Sequence, residues 1–100
     1  MKDKQTYSWI FLSVAIASQN NPTNLKEITN VADGINHVIP TENEIKNSVK
    51  WLSEKGLITK HKNKYMLTEK GKNVYEEVSQ NKNQIMRIWS DLEITLKNYA

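Results

Sequence analysis

The sequence predicts a mainly α fold with a small antiparallel β-hairpin. Apolar residues recur every three or four positions in three segments before residue 56 and again after residue 69, as in helices with a buried face. After Gly56, two four-residue strand candidates, 57–60 and 64–67, stand on either side of Lys62-Asn63. One hundred residues are enough for one domain with a small core.

The first predicted helix is apolar on almost every side. It carries two stripes, Tyr7-Ile10-Phe11-Val14 with Ala17 or Ser18, and Trp9-Leu12-Ile16. Such a helix must be covered nearly all round. One stripe can pack on the two helices that follow, so the Trp9 side needs another cover.

The second predicted helix is capped by Thr23 or Asn24. Its buried face is supplied by Leu25, Ile28, Val31, Ala32 and Ile35. The connection 36–40 is longer than the turn of a tight helix-turn-helix. We expect Val38 and Ile39 to lie in the core, and His37 to be structural or solvent-facing rather than a ligand.

The third predicted helix, residues 42–55, has the clearest local signals. Thr41 and Glu44 form a capping box, and Gly56 ends the helix. The apolar stripe consists of Ile45, Val49 and Leu52. The opposite face carries Asn43, Asn47, Lys50 and Glu54, and it is flanked by Lys46 on one side and Trp51 on the other.

The hairpin candidate turns at Lys62-Asn63. That turn places Ile58 across from Leu67 and Lys60 across from Tyr65. The tip then carries Lys60, His61, Lys62, Asn63 and Lys64. Residues 42 to 72 hold eight lysines and four glutamates, a net charge of +4, whereas the whole chain has +3. This uneven distribution favours an anionic partner.

The C-terminal region contains an apolar stripe that needs a partner surface, formed by Ile85, Ile88, Trp89, Leu92, Leu96 and Tyr99. If residues 69–98 form one helix of about 45 Å, its far end packs on a second subunit. If the helix breaks near Asn81, it folds back within one chain. We favour a homodimer whose contact is formed by Trp9, Ile85, Ile88, Trp89, Leu92 and Leu96. Residues 1–78 form the predicted domain, and residues 79–100 form a C-terminal extension that belongs to the same compact unit.

Catalytic and membrane functions find no support in the composition. The chain has no cysteine, only two histidines, and no spacing typical of a metal site, a catalytic triad or a phosphate loop. The longest apolar run is too short to span a bilayer. We therefore expect no enzyme activity, no cofactor, no metal and no membrane association, and a cytoplasmic location.

Two motifs give the chain a family resemblance. The first motif is WLSEKGLI, and the second, YMLTEKG, follows the basic hairpin. The residues that carry the resemblance are Leu52, Gly56, Leu57, Ile58, Tyr65, Leu67, Thr68 and Gly71. Over residues 7–78 the sequence resembles the winged helix-turn-helix domain of bacterial transcription regulators of the MarR and PadR type. The resemblance implies a winged helix-turn-helix with an additional C-terminal helix. It also implies that 42–55 is the recognition helix and 60–64 the wing.

Double-stranded DNA is the partner that this interpretation favours. Asn43, Asn47 and Lys50 would face base edges. The phosphates would be met by Lys46, Lys60, Lys62 and Lys64, with Lys70 as a further candidate and Asn63 at the tip. The alternative is a protein-interaction module that uses Trp51, Trp9 or the terminal stripe as anchors. A third hypothesis is a repressor that binds a small molecule between the first and last helices. Trp51 itself is expected either to pack under the wing or to contact a partner.

Overall fold

The computed structural model describes residues 2–80 and 84–99, which form five helices and one two-stranded antiparallel sheet. The elements are α1 (Asp3–Ala17), α2 (Leu25–Asn36), α3 (Glu42–Glu54), β1 (Ile58–His61), β2 (Lys64–Leu67), α4 (Glu69–Ser79) and α5 (Ile85–Lys97). The mainly α fold with one hairpin and an additional C-terminal helix is confirmed.

Helix α1 is the centre of the domain. Every residue from Ser8 to Ala15 is buried, because α2, α3 and α5 pack around it and α4 and β2 also contact it. Trp9 is fully buried and donates its indole N–H to the backbone oxygen of Ala32 in α2, at 2.9 Å. The near-continuous apolar surface of this helix is thus covered on all sides.

The residues before α2 have two different roles. Asn24 is the N-cap, since its side chain accepts a hydrogen bond from the Glu27 N–H at 2.8 Å. Thr23 instead pairs with Tyr65 through two backbone hydrogen bonds of 2.8 and 2.7 Å. This bridge fastens the segment before α2 to strand β2.

Both ends of α3 match the sequence prediction. The Glu44 carboxylate accepts a hydrogen bond from the Thr41 N–H at 2.8 Å, and the Glu44 N–H donates to the Thr41 hydroxyl at 3.1 Å. Gly56 has a φ of 73°, in the left-handed region, and the Leu57 N–H then donates to the Leu52 oxygen at 2.9 Å. This reversal sends the chain directly into β1.

The hairpin has the predicted register. Ile58 pairs with Leu67, and Lys60 with Tyr65. Lys62 and Asn63 form the turn with φ angles of 50° and 64°. Two successive positive φ values are those of the two-residue turns that match the twist of paired strands.

Thr68 joins the base of the hairpin to the end of α3. Its hydroxyl donates to the Gly56 oxygen at 2.5 Å and accepts from the Gly71 N–H at 3.0 Å, while its own N–H donates to the Leu57 oxygen at 3.1 Å. The wing and the start of α4 are therefore held against the C-terminal end of α3.

The C-terminal region contains two helices, because α4 ends at Ser79 and α5 begins at Ile85. The predicted break point, Asn81, lies outside the described residues. Helix α5 packs on α1, and the centroids of the Trp89 and Trp9 rings lie 6.1 Å apart. The Trp89 indole N–H lies 3.0 Å from both the Gln5 oxygen and the Ser8 hydroxyl.

This packing covers most of the surface predicted to form the dimer contact. Five of its six residues, Trp9, Ile88, Trp89, Leu92 and Leu96, are buried within a single chain, while Ile85 is 38% exposed. The apolar stripes of α1 and α5 cover each other, so neither needs a second subunit.

The loop between α2 and α3 also differs from the prediction. Val38 and Ile39 are 53% and 66% exposed instead of buried. His37 adopts a left-handed conformation at the end of α2, with a φ of 56°. The chain then runs along the surface, and only Pro40, beside the Thr41 cap, is buried.

Ser48 offers a test of the packing between α3 and the core. Its hydroxyl is buried and has no hydrogen-bond partner among the described residues. Because an unsatisfied buried polar group is costly, Ser48→Ala is expected to raise the free energy of unfolding by about 1 kcal/mol in chemical denaturation. The matched control is Ser13→Ala, since the buried Ser13 hydroxyl donates to the Trp9 oxygen at 2.8 Å. Ser13→Ala should destabilise the protein. A loss of stability in Ser48→Ala would contradict the conclusion that the buried Ser48 hydroxyl has no hydrogen-bond partner.

Candidate nucleic-acid interface

The outer face of α3 carries the first group of predicted site residues. Ile45, Ser48 and Leu52 point into the core, so the opposite side of the helix is left to solvent. Asn43, Lys46, Asn47 and Lys50 are all exposed there. Amide and ammonium groups on one exposed helix face can hydrogen-bond acceptors and donors along a groove edge.

The wing carries the second group. Lys60, Lys62, Asn63 and Lys64 are exposed, together with His61. The tight turn at Lys62-Asn63 holds these side chains at the end of the hairpin. The Lys60 Nζ lies 5.9 Å from the centre of the Tyr65 ring across the ladder, which places its ammonium beside β2.

Ion pairs distinguish the lysines of the site. Lys46 Nζ lies 2.7 Å from Glu42 Oε1 one turn earlier, and this hydrogen bond and the positive charge lower the pKa of the Glu42 carboxyl. Lys50, Lys62 and Lys64 form no ion pair with any residue that the structure describes. The charges of these three lysines are therefore available to a partner. Lys46 must first break its ion pair with Glu42 before it can bind one.

Trp51 packs against α1, a position that the sequence does not predict for it. Its ring stacks on Tyr7 of α1, with centroids 4.8 Å apart and planes inclined by 18°. Lys4 Nζ lies 4.8 Å from the centre of the Trp51 ring, and Lys55 Nζ lies 5.7 Å from it. These contacts place the N-terminal turn of α1 beside the flank of α3.

Sequence reasoning missed Lys4 and Lys55 as possible site residues. Lys4 precedes Tyr7 by three positions, and Lys55 follows Trp51 by four, so helical spacing could have suggested that each lysine accompanies an aromatic neighbour. Two carboxylates act on Tyr7, the stacking partner of Trp51. The pKa of the Tyr7 hydroxyl is raised first by burial and then by the charges of Asp3 and Glu54.

Lys70, adjacent to the wing, has a structural role in this arrangement. Its Nζ donates to the Lys55 backbone oxygen at 3.1 Å and lies 4.9 Å from the centre of the Tyr99 ring. A cation at the C-terminal end of α3 is favourable to the helix dipole.

A small-molecule cavity, a metal site and a membrane-spanning helix are the three other kinds of site that bear on function. A cavity of about 350 Å³ lies between the C-terminal end of α1, β2 and α4, and not between the first and last helices. Residues 2–80 and 84–99 contain no group of three or more His, Asp or Glu side chains placed to hold a metal ion. No helix in the described ranges has both the length and the apolar character needed to cross a bilayer.

Comparison with known proteins gives a family match for part of the chain. Residues 41–86 match the winged helix-turn-helix family. The matched segment begins at the α3 cap and includes the wing and α4, and α1 and α2 complete the helical base. The five helices and the hairpin are consistent with a winged helix-turn-helix domain, a class that suggests DNA binding and is typically non-enzymatic. Searches of curated proteins and of solved structures found no match.

Proposed function

We propose that this protein is a DNA-binding transcriptional regulator of the bacterial, cytoplasmic kind. Helix α3 enters the major groove, and the wing contacts phosphates. The observation that carries the proposal is that all eight predicted contact residues are exposed, on the outer face of α3 and at the wing tip. Lys50, Lys62 and Lys64 have no ion-pair partner among the described residues to satisfy their charge.

The two groups of residues have different roles. Asn43, Asn47 and Lys50 read base edges, because an amide can bond adenine in two places and an ammonium can reach the acceptors of guanine. Lys46 and the wing residues Lys60, Lys62, Asn63 and Lys64 contact the sugar-phosphate backbone and fix the register without reading sequence. A single chain presents one helix and one wing, which suffices for one half-site.

The double variant Lys62→Ala/Lys64→Ala tests the wing. It is expected to weaken binding to all duplexes alike and to reduce the slope of log K against log salt by about 1.8, since each lost phosphate contact contributes about 0.9. Fluorescence anisotropy with a labelled duplex, titrated over a range of salt concentrations, measures that slope.

The control Lys72→Ala/Lys97→Ala removes the same charge from exposed positions of α4 and α5. It should leave the slope close to that of the wild type. An unchanged slope in the wing variant would remove the wing from the mechanism.

A protein-interaction module is the second candidate, and one observation favours it. Val38 and Ile39 are exposed, and Leu25 at the start of α2 is 41% exposed. The other proposed anchors are less available, because Trp9 is buried and Trp51 is stacked on Tyr7. A gel shift with random duplex at low salt separates the candidates, since the absence of any shift would support protein interaction.

A further inference from the structure

The Trp51 cluster, which consists of Lys4, Tyr7, Trp51 and Lys55, is a group of side chains that the proposed contacts do not use. Tyr7 packs against Trp51, and both ammonium groups lie within the range of cation–π attraction to the Trp51 ring. Lys4 also lies 5.7 Å from the centre of the Tyr7 ring. The cluster therefore gathers two positive charges from distant parts of the chain.

The position of the cluster relative to α3 is informative. Trp51 lies one helical turn after Asn47, so its ring borders the exposed face that carries Asn43, Asn47 and Lys50. Lys46 borders the same face on its other side. The outer face of α3 is thus flanked by lysine ammonium groups on both edges.

A helix in the major groove has a phosphate strand along each side. The groove is about 12 Å wide, and a helix with its side chains measures about 10–12 Å across. If α3 occupies the groove, Lys46 faces one strand and the Trp51 cluster faces the other. Cation–π attraction to the ring favours positions of the two ammonium groups beside Trp51 before binding, which lowers the entropy lost when they contact phosphate.

We propose that the Trp51 cluster binds the DNA backbone on the side of the major groove opposite Lys46, with Lys4 and Lys55 as the phosphate-contacting residues. The inference rests on the proposed function and adds a helix-flank contact from α1 to it. Asp3 and Glu54 directly precede Lys4 and Lys55 in the chain, and their charges, after burial, raise the pKa of the Tyr7 hydroxyl. Their negative charge limits the attraction for a lone anion, so the cluster should bind duplex DNA but not inorganic phosphate.

The test compares charge removal with charge conservation at the same two positions. Lys4→Ala/Lys55→Ala is expected to reduce the salt slope of duplex binding by about 1.8, whereas Lys4→Arg/Lys55→Arg keeps the charge and the slope. The Lys72→Ala/Lys97→Ala variant again controls for net charge. Circular dichroism of each variant verifies that the helical fold is retained.

Tryptophan fluorescence supplies an independent readout. Trp9 and Trp89 are buried, so a water-soluble quencher reaches mainly the partly buried Trp51. Duplex DNA should protect this fluorescence from acrylamide, inorganic phosphate should not, and Trp51→Phe should abolish the protection.

The possible failures are distinguishable. Duplex binding that depends on Lys62 and Lys64, with an unchanged slope in Lys4→Ala/Lys55→Ala and no protection of Trp51, would overturn this inference and leave the proposed function intact. The absence of duplex binding by the wild type at low salt would overturn both.

Discussion

Replacing Trp89 by alanine is expected to lower the free energy of unfolding by about 3 to 5 kcal/mol. Trp89 is only 6% exposed and fills the space between α5 and α1. Its indole N–H also lies 3.0 Å from both the Gln5 oxygen and the Ser8 hydroxyl. The substitution leaves a cavity beside Trp9 and removes the donor from these two acceptors.

Urea denaturation of the wild type and the variant, each at two protein concentrations tenfold apart, measures the effect. Since Trp89 is covered within one chain, the midpoints should not depend on concentration; midpoints that rise with concentration would place this stripe in a subunit interface. The control is Ile94→Ala on the same helix, where the side chain is 60% exposed and the change should stay within about 0.5 kcal/mol. A Trp89→Ala effect as small as that of the control would contradict the packing of α5 on α1.

Replacing Gly71 by alanine is expected to destabilise the protein by about 1 to 3 kcal/mol, although alanine is the better helix former. A Cβ at Gly71 would clash with the backbone oxygen of Leu57, and a backbone atom cannot rotate away as a side chain can. The start of α4 would have to move off the base of the wing. Thermal unfolding followed by circular dichroism measures the loss.

The control, Gly34→Ala in α2, should have the opposite sign. Nothing lies within 4 Å of a Cβ at Gly34, so the gain in helix propensity of up to about 1 kcal/mol should appear as added stability. If the proposed function is correct, Gly71→Ala should also weaken duplex binding, because Thr68 and Gly71 fix the wing against α3. Equal effects of the two glycine substitutions would contradict the close approach at Leu57.

Local features of the fold could be predicted from the sequence. The Thr41–Glu44 capping box, the left-handed Gly56 and the Lys62-Asn63 turn each depend on residues within a few positions of one another. The hairpin register follows from the turn, and the exposed face of α3 from its helical period. Most of the candidate site lies in these segments, so its residues could be named in advance.

Contacts between distant segments could not be predicted in the same way. An apolar stripe indicates that a helix needs cover, but it does not specify which surface supplies that cover. From the sequence, the apolar stripe of α5 could be covered by a second subunit or by the same chain. In the structure it is covered by α1. The stacking of Tyr7 on Trp51 is equally invisible to local patterns, because 44 positions separate the two residues.

The contact between α1 and α5 sets the order in which this fold can be completed. Gln5 and Trp89 are 84 positions apart, and α5 follows every other described element along the chain. During translation α1 is synthesised before α5, the helix that packs on its Trp9 side. The surface of α1 that α5 covers therefore stays exposed to water until α5 has been synthesised, and this part of the core is completed after the packing of α1 on α2 and α3 is possible.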